Sequence, residues 1–335
     1  MKDIGILGAG SWGTALAVHL ARTGHGVRLW AREPQVVEQM RARRENEVFL
    51  PGVALPPAIE PCSDFASALD GVGLVLMVVP SHGVRGVLRG AAPLFGTGAV
   101  IVSATKGLEP GTLLRPSEVV QQEAGPGHPV VVLSGPSFAR EVARELPTAV
   151  CAASEDLAAA ALVQAEFRGR FFRLYSTPDV VGVEIGAALK NVIAIAAGVV
   201  EGLGLGHNAM AALITRGLTE ISRLASALGA RRETLAGLTG LGDLVLTCTG
   251  GLSRNRQVGI ELGHGRSLDD ILRHMTMVAE GVQTTTAALA LGARVGIELP
   301  IAAQMADVLS GRKSPRAAAE ELMLRPQKGE PEGGW

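Results

Sequence analysis

The sequence has 335 residues, of which 47% are hydrophobic and 19% charged, and its formal net charge is −1. A chain of this length is expected to form two domains, because single hydrophobic cores rarely grow beyond about 250–300 residues. The composition excludes an intrinsically disordered chain, since it supplies enough apolar side chains for a sizeable core. With three Trp, one Tyr, seven Phe and no basic excess, it also argues against a nucleic-acid-binding surface. We therefore expect a soluble globular protein whose partner is a small molecule and not a nucleic acid.

The cysteines and the apolar segments indicate the cellular compartment. Cys62, Cys151 and Cys248 are odd in number and lack the spacing of a zinc site or a CxxC motif, which argues against a disulfide framework and predicts no metal. The most apolar run, NVIAIAAGVV, is flanked by Lys190 and Glu201, and it falls short of the roughly 18 apolar residues that a membrane span needs. The sequence therefore predicts a cytoplasmic protein with no membrane span.

Short apolar runs alternate with helical stretches from Lys2 to about Tyr175. Continuous runs of Val, Ile and Leu are typical of strands that are buried on both faces of a parallel sheet. The six runs are DIGILGAG, GVRLWAR, GLVLMVVP, AVIVSATKG, PVVVLSGP and PTAVCAAS. The repeated order of strand and then helix predicts an α/β fold, with a doubly wound Rossmann-type domain at the N-terminus.

The character of the sequence changes after RFFRLYSTPD. Two long helices are predicted over Pro178–Glu201 and His207–Leu228, with GLGLG between them. Their Gly and Ala residues indicate close helix packing, and the segments that follow are also predicted to be helical. We therefore predict a Rossmann-type NAD(P)-binding domain over residues 1–180, an all-helical substrate domain over residues 181–325 and a disordered tail over residues 326–335.

Three glycines follow the first predicted strand with the spacing G-x-G-x-x-G: Gly8, Gly10 and Gly13. In a nucleotide-binding turn the first permits the tight turn, the second lets the backbone approach a pyrophosphate, and the third lets the helix pack on the strand. The helix that follows would point its N-terminus at the anion. A second strand, GVRLW, follows at the expected place, which favours a dinucleotide site over a loose glycine turn.

The residues after that second strand bear on the choice of cofactor. A carboxylate at this point holds the ribose 2′-hydroxyl of NAD, whereas an arginine pairs with the 2′-phosphate of NADP. Here Arg32 comes first and Glu33 follows. We therefore expect NADPH or NADH as cofactor, with NADP somewhat favoured. The alternative is a solvated Arg32 that contacts no ligand.

Two further segments place polar groups at the carboxyl ends of predicted strands, where open α/β sheets bind ligands. The segment SATKGLE puts Lys106 just past one strand, and SGPSFA carries Gly135, Ser137 and Ala139 in a turn that can present backbone amides. Lys106 is therefore a candidate contact to substrate or cofactor. The alternative is a lysine that is only solvated.

Lys190 and Asn191 interrupt a long run of small and apolar residues, GAALKNVIAIAAG. Burial without a partner is costly for an ammonium group and lowers its pKa, which is what a proton-transferring lysine requires. Lys190 is therefore a candidate general acid or base. The alternative is a lysine whose long side chain reaches solvent from an apolar helix.

A Gly-rich segment, LTGLGDLVLTCTGGLSRNRQVG, concentrates further polar groups. Asp243 and Thr247 are four residues apart in it, a spacing that places them on one face of a short helix. Ser253, Arg254 and Asn255 follow in SRNR. An Arg–Asn pair that opens a helix suits a phosphate, by charge and by amide donation. The alternative is an ordinary basic helix start.

Nine segments, taken in order, resemble the bacterial NAD(P)-dependent glycerol-3-phosphate dehydrogenases. They are GAGSWGTALA, SATKGLE, SGPSFAREV, LPTAV, ALKNVIAIAAG, NAMAALITRGLTEI, GLGDLVLTCTG, SRNR and AEGVQT, and the resemblance spans about residues 4–309. It implies the reversible reduction of dihydroxyacetone phosphate to sn-glycerol 3-phosphate, which feeds phospholipid synthesis. We also expect a homodimer, since helical second domains with apolar faces often associate.

The resemblance also implies a role for each candidate residue. Lys190 matches the proton-transferring lysine and Lys106 the lysine beside substrate and nicotinamide, while Asp243 would orient Lys190. Asn191 and Thr247 fall where the related eukaryotic enzymes place site residues. The implied substrate contacts are Lys106, Gly135, Ser137, Lys190, Asn191, Asp243, Thr247, Ser253, Arg254 and Asn255. The implied cofactor contacts are Gly8, Gly10, Ser11, Trp12, Gly13, Arg32, Lys106, Ala139, Arg254, Val278 and Glu280.

Two other functions are compatible with these residues. A β-hydroxyacid or ketopantoate-type reductase shares the nucleotide domain, the helical second domain and a helix-borne lysine, but it binds a carboxylate and needs no phosphate cluster such as SRNR. The second alternative is a non-catalytic protein that senses a dinucleotide, because a fold does not by itself determine a function. It would leave Lys190, Asp243 and Arg254 without a role.

Overall fold

An eight-stranded sheet runs through the N-terminal half of the protein. The computed structural model describes residues 3–275, 279–327 and 329. Short strands alternate with helices, as the alternation of apolar runs predicts. The strands are β1 (Ile4–Leu7), β2 (Val27–Trp30), β3 (Ile59–Cys62), β4 (Leu74–Met77), β5 (Val100–Ser103), β6 (Val130–Ser134), β7 (Thr148–Ala153) and β8 (Phe172–Thr177).

The strand order is β3-β2-β1-β4-β5-β6-β7-β8, and β1 to β6 are parallel. The first six strands have the 3-2-1-4-5-6 order of doubly wound dinucleotide-binding folds, which confirms the predicted α/β class. The helices between the strands are α1 (Ser11–Arg22), α2 (Pro34–Arg43), α3 (Phe65–Leu69), α4 (Val84–Ala91), α5 (Pro116–Ala124), α6 (Ala139–Ala143) and α7 (Leu157–Glu166).

One strand pair departs from the parallel arrangement that the apolar runs indicate. Strand β7 pairs antiparallel with β6 and parallel with β8. A continuous apolar run indicates burial on both faces and carries no information on strand direction, so PTAVCAAS could not show the reversal. Strands β3 and β8 lie outside the six predicted runs. The first of them reads IEPC, with Glu60 and Pro61 in its centre, and the second alternates buried and exposed residues at its start.

Both faces of the central strands are covered, because consecutive side chains of a strand point to opposite sides of the sheet. In β4, Leu74 and Leu76 belong to one apolar core, while Val75 and Met77 belong to another. This arrangement explains why the central strands are continuous apolar runs in the sequence.

The C-terminal half is helical throughout the residues that the structure describes, apart from its connecting turns. Helices α8 and α9 end within two residues of the predicted bounds at Glu201 and Leu228. The helices are α8 (Val180–Gly202), α9 (Gly206–Ala227), α10 (Arg232–Ala236), α11 (Asp243–Thr249), α12 (Arg254–Gly263), α13 (Leu268–Arg273), α14 (Glu280–Val295), α15 (Pro300–Leu309) and α16 (Pro315–Met323).

Helix α8 is the central element of this half, and α9, α11, α12 and α14 pack around it. It is long and apolar enough to cross a membrane by length and composition alone, but 89% of its apolar window is buried inside the protein. Its apolar composition is therefore explained by its place in the protein core. The crossing of α8 and α12 is close at Gly198 and Gly259, where a Cβ on either residue would overlap a backbone carbonyl oxygen of the other helix.

The predicted domain bounds stay a prediction, although the chain passes from sheet to helices at a defined place. Strand β8 ends at Thr177, and α8 begins at Val180. Most of the predicted disordered tail, residues 328 and 330–335, lies outside the described residues.

Candidate active site

The turn after β1 has the backbone geometry that a dinucleotide phosphate requires. Gly8 has φ = +124°, which favours glycine, and a Cβ on Gly13 would overlap the carbonyl oxygen of Gly8. A Cβ on Gly10 would meet nothing within 4 Å, so this position faces open space. Helix α1 begins next, at Ser11, and has no acidic residue in its first turn. A tight turn that opens onto an uncompensated helix N-terminus fits the pyrophosphate of a dinucleotide.

The two residues that open α1 lie beside this turn. The Ser11 hydroxyl donates to the carbonyl oxygen of Phe49 at 2.6 Å. Trp12 is partly buried and packs against the apolar core that contains Leu74 and Leu76. The structure therefore places both predicted cofactor contacts at the end of the helix that faces the open position.

Arg32 lies two residues beyond β2, at the same edge of the sheet. Its side chain is 82% exposed, and it pairs with Glu33 Oε1 at 2.9 Å from Nε and 2.8 Å from Nη2. The arginine that suits a 2′-phosphate and the carboxylate that suits a 2′-hydroxyl are thus bonded to one another.

Lys106 lies three residues beyond β5, at the carboxyl edge of the sheet. Its Nζ donates to Asp243 Oδ2 at 2.7 Å and lies 3.4 Å from the carbonyl oxygen of Gly135. Its side chain keeps 17% exposure, so the ammonium group is paired and still reaches the surface of the site. The bond to Asp243 joins the sheet to the helical half.

Lys190 projects from the middle of α8 and is almost fully buried. Its Nζ donates to Thr247 Oγ1 at 2.7 Å and lies 3.0 Å from Asp243 Oδ1. The Thr247 hydroxyl in turn donates to the carbonyl oxygen of Asp243 at 2.6 Å, which places both residues on one face of α11. Burial lowers the pKa of Lys190 to about 8, although the carboxylate of Asp243 opposes that shift.

The carboxylate of Asp243 is the centre of this cluster. Burial pushes the pKa of Asp243 upward, but the ammonium groups of Lys106 and Lys190 outweigh it and hold the pKa below its usual range. Asp243 therefore stays an anion between two lysines, and the three groups together carry one positive charge when both lysines are protonated. A site of this kind favours an anionic ligand.

The turn after β6 lies next to Lys106. Gly135 has φ = +140°, and a Cβ there would lie 2.9 Å from the Cα of Val150. The Ser137 hydroxyl donates to the carbonyl oxygen of Gly135 at 2.9 Å. Ala139 follows as the first residue of α6.

The start of α12 brings the SRNR residues to the other side of the site. The Ser253 hydroxyl accepts from the backbone N–H of Arg256 at 3.2 Å and so caps the helix. Arg254 is exposed at the first helical position. The side-chain oxygen of buried Asn255 accepts from the backbone N–H of Gly281 at 2.9 Å. Asn255 therefore anchors the start of α14, and its amide nitrogen is the group that can donate to an anion.

Glu280 is the first residue of α14 and lies close to the lysine cluster. Its Oε2 lies 3.4 Å from the side-chain nitrogen of Asn191. Burial raises the pKa of Glu280, and the positive charges of Arg254 and Lys106 oppose that shift. The remaining predicted cofactor contact, Val278, lies outside the described residues.

Two features of this site were not predicted from the sequence. Asp243 was expected to pair with Lys190 alone, whereas its carboxylate also binds Lys106, a residue 137 positions away. Asn46, whose buried side chain bonds to the glycine turn, was not among the candidate residues. No local pattern signals either contact, because both depend on how distant segments come together.

Two family models match most of the chain. The model for the N-terminus of NAD-dependent glycerol-3-phosphate dehydrogenase matches residues 3–160, and the model for its C-terminus matches residues 179–320. A relative from Citrifermentans bemidjiense, named glycerol-3-phosphate dehydrogenase [NAD(P)+], is 54% identical over 331 residues, which are 98% of this chain and 99% of the relative. A relative of the same name from Koribacter versatilis is 54% identical over 330 residues, with 97% and 98% covered.

Solved structures agree with this match. A glycerol-3-phosphate dehydrogenase from Coxiella burnetii superposes with a TM-score of 0.93 at 44% identity, over 97% of this chain and 99% of that one. A ketopantoate reductase from Ralstonia eutropha superposes with a TM-score of 0.60 at 16% identity, over 96% and 99%, and at that identity it shows the fold alone. With the glycine turn, the lysine pair and both family models on one chain, the protein belongs to the NAD-dependent glycerol-3-phosphate dehydrogenase family.

Proposed function

We propose that this protein catalyses the reversible reduction of dihydroxyacetone phosphate to sn-glycerol 3-phosphate, with NADH or NADPH as the reductant. The observation that carries this proposal is the buried cluster of Lys106, Asp243 and Lys190, which lies at the same carboxyl edge of the sheet as the dinucleotide-type turn. Its relatives of about 54% identity are named glycerol-3-phosphate dehydrogenase [NAD(P)+]. A non-catalytic sensor of dinucleotides would have no use for this cluster.

The residues at the turn fit the dinucleotide, and several of them would hold it. Gly8, Gly10 and Gly13 with the N-terminus of α1 would bind its pyrophosphate, and Ser11, Trp12, Arg32, Ala139 and Glu280 are the other described residues proposed to contact it. When bound in its reduced form, the nicotinamide supplies a hydride to the carbonyl carbon of the substrate.

Lys190 is proposed to be the general acid of the reduction. Negative charge develops on the carbonyl oxygen as the carbon is reduced, and a protonated Lys190 donates a proton to that oxygen. Its pKa of about 8 means that both protonation states are populated near neutral pH. In the oxidative direction the neutral amine of Lys190 takes the proton back from the hydroxyl group.

Lys106 and Asp243 are proposed to support that transfer. Lys106 stabilises the developing charge on the oxygen as a fixed cation in a partly water-excluded site. Asp243 accepts from both lysines and so fixes the direction in which each ammonium group points. Thr247 accepts from Lys190 on the other side and limits its rotation.

The substrate phosphate is proposed to bind at the start of α12. Arg254 provides a charge and Asn255 an amide donor there, while Ser253, Asn191, Gly135 and Ser137 line the approach to the lysines. A phosphate held away from the reacting carbon contributes binding energy that orients the carbonyl group toward Lys190.

Several broader proposals follow from this activity. Residues 1–180 would form the NAD(P)-binding domain and residues 181–325 the substrate domain, which is supported by the change from sheet to helices between Thr177 and Val180. The enzyme would work in the cytoplasm as a homodimer, and its product would supply glycerophospholipid synthesis.

The experiment that tests the function is a substrate and cofactor panel with the purified protein. Oxidation of NADH and NADPH is followed with dihydroxyacetone phosphate, with dihydroxyacetone and with ketopantoate. We expect turnover with the phosphorylated ketone, much weaker turnover with dihydroxyacetone and none with ketopantoate. Equal or greater rates on ketopantoate would favour the alternative, a reductase whose ketone substrate carries a carboxylate in place of a phosphate.

The same panel tests the proposed preference for NADP. Arg32→Ala is expected to raise the KM for NADPH and to leave that for NADH nearly unchanged, since only NADPH carries a 2′-phosphate. Arg89→Ala, an exposed arginine on α4, is the matched control. If Arg32→Ala changes the KM for NADPH and the KM for NADH equally, this arginine does not select between the two cofactors.

A further inference from the structure

A buried side chain in the segment between α2 and β3 forms hydrogen bonds to the glycine turn. Asn46 has no solvent-exposed surface. Its Nδ2 donates to the carbonyl oxygen of Ala9 and to Thr14 Oγ1, both at 2.8 Å. Its Oδ1 accepts from the backbone N–H of Phe49 at 3.1 Å. Both hydrogens of the amide and its oxygen are therefore engaged.

These bonds fix both sides of the turn. Ala9 lies between Gly8 and Gly10, so its carbonyl oxygen sets the orientation of the peptide at the centre of the motif. The Thr14 hydroxyl lies 3.3 Å from the same oxygen, and the Thr14 backbone N–H donates to the carbonyl oxygen of Gly10 at 2.9 Å. Asn46 thus connects the turn before α1 to the first turn of α1 itself.

Two further hydrogen bonds involve the same segment. The carbonyl oxygen of Phe49 accepts from the hydroxyl of Ser11 at 2.6 Å, and the backbone N–H of Leu50 donates to the carbonyl oxygen of Asn46 at 2.9 Å. The segment from Asn46 to Leu50 is therefore bonded to the helix N-terminus at Ser11 and to the turn at Ala9. These bonds join the segment to both sides of the open position at Gly10.

We propose that Asn46 is a positioning residue for the cofactor, which keeps the glycine turn and the first turn of α1 in the geometry that binds the pyrophosphate. This inference rests on the proposed function only in that a dinucleotide binds at this turn. An asparagine is needed because the position must donate twice and accept once. An aspartate has the same shape but cannot donate to the carbonyl oxygen of Ala9.

The central test is the affinity of Asn46→Asp for NADPH, measured through the fluorescence of the reduced nicotinamide with no substrate present. We expect the Kd to rise at least about 5-fold, because two buried acceptors lose their donor. The KM for NADPH should rise in parallel, while kcat at saturating NADPH and the KM for dihydroxyacetone phosphate stay within about 2-fold of the wild type.

A companion variant and a control separate positioning from general destabilisation. Thr14→Val removes the second acceptor and should raise the Kd in the same direction, and the double variant should show less than the product of the two single effects because the residues share one bond. Asp156→Ala removes the cap of α7, where Asp156 accepts from the backbone N–H groups of Ala158 and Ala159. It should lower the Tm and leave the Kd for NADPH unchanged.

The outcomes decide the proposal in either direction. If Asn46→Asp folds and behaves like Asp156→Ala, with a lower Tm and an unchanged Kd, Asn46 has only a structural role and the proposal is wrong. If Asn46→Asp yields no folded protein, the Kd of Thr14→Val decides by the same criterion. A wild type that binds NADPH without reducing dihydroxyacetone phosphate would overturn the proposed function and leave this test of Asn46 valid.

Discussion

Lys190 and Asp243 form an ion pair in which Nζ lies 3.0 Å from Oδ1, and their side chains are only 6% and 2% exposed. The other oxygen of the same carboxylate accepts from Lys106. A buried pair of this kind is stable only when its partners satisfy one another, because each charge loses its hydration. The second lysine adds a positive charge that no group of the pair cancels, which suits a substrate whose oxygen becomes negative.

Replacement of Lys190 by methionine tests its role as general acid. Lys190→Met keeps much of the side-chain volume in α8 but removes the proton donor, so we expect kcat to fall by ~10²–10⁴-fold. The Kd for NADPH should change little, since the glycine turn is untouched. Lys313→Met, which removes a lysine paired with Glu321 near α16, is the control and should retain its turnover. A Lys190→Met variant that keeps more than about a tenth of kcat would rule out general-acid catalysis by this residue.

The pH dependence of turnover should follow the protonation of Lys190. Reduction requires the ammonium form, so its kcat should be high below the pKa of about 8 and fall as the pH rises through it. Oxidation of glycerol 3-phosphate requires the neutral amine and should show the opposite dependence. Rates in both directions, measured from about pH 6 to about pH 10, check this sign.

Asp243→Asn should move that inflection to lower pH. The carboxylate of Asp243 raises the pKa of Lys190 against the effect of burial, and Lys106 lowers it. Removal of the carboxylate leaves burial and Lys106 acting in the same direction, so the amine loses its proton more easily. An inflection that stays at the wild-type pH in this variant would show that another group titrates.

The parts of the fold that sequence could predict are those encoded by local patterns. Strands β1, β4 and β5 are continuous apolar runs, and the glycine spacing after β1 marks a turn with one dominant use. The long helices α8 and α9 could be predicted from their composition and from the glycines between them. Strand β3 could not be found in this way, because Glu60 and Pro61 interrupt its apolar pattern.

The parts of the site that sequence could not predict are contacts between distant segments. Lys106, Lys190 and Asp243 are each recognisable as polar groups in apolar or Gly-rich surroundings, but nothing in these segments indicates that one carboxylate binds both lysines. Asn46 lies among charged residues in RRENEV and looks like part of a solvated loop. Only the packing of that segment against α1 buries it.

Replacement of Arg254 by alanine tests the proposed phosphate site. The arginine is the exposed first residue of α12, where it can bind an anion together with the helix N-terminus. Arg254→Ala should raise the KM for dihydroxyacetone phosphate about 10-fold or more, because a hydrogen bond between charged groups is lost. Arg266→Ala, near the opposite end of α12 and paired with Glu261 and Asp270, is the matched control. An unchanged KM in Arg254→Ala would place the phosphate elsewhere.

The crossing of α8 and α12 should determine how Lys190 and Arg254 face one substrate. A Cβ on Gly198 would overlap the carbonyl oxygen of Arg256 and lie 2.8 Å from the Cα of Gly259. These obstacles are backbone atoms, so Gly198→Ala can be accommodated only if the two helices move apart. Overpacking of this kind costs about 1–3 kcal/mol, and the Tm should fall by several degrees.

Catalysis should suffer beyond the loss of stability. Since α8 carries Lys190 and α12 carries Arg254, separation of the helices in Gly198→Ala should raise the KM for dihydroxyacetone phosphate and lower kcat together, in protein that is still folded at the assay temperature. Gly86→Ala is the control, because Gly86 lies in α4 and a Cβ there would meet nothing within 4 Å. It should leave activity unchanged and the Tm equal or slightly higher, as alanine favours a helix. If Gly198→Ala matched this control in both Tm and KM, the close approach of the two helices would not be what aligns the proton donor with the phosphate site.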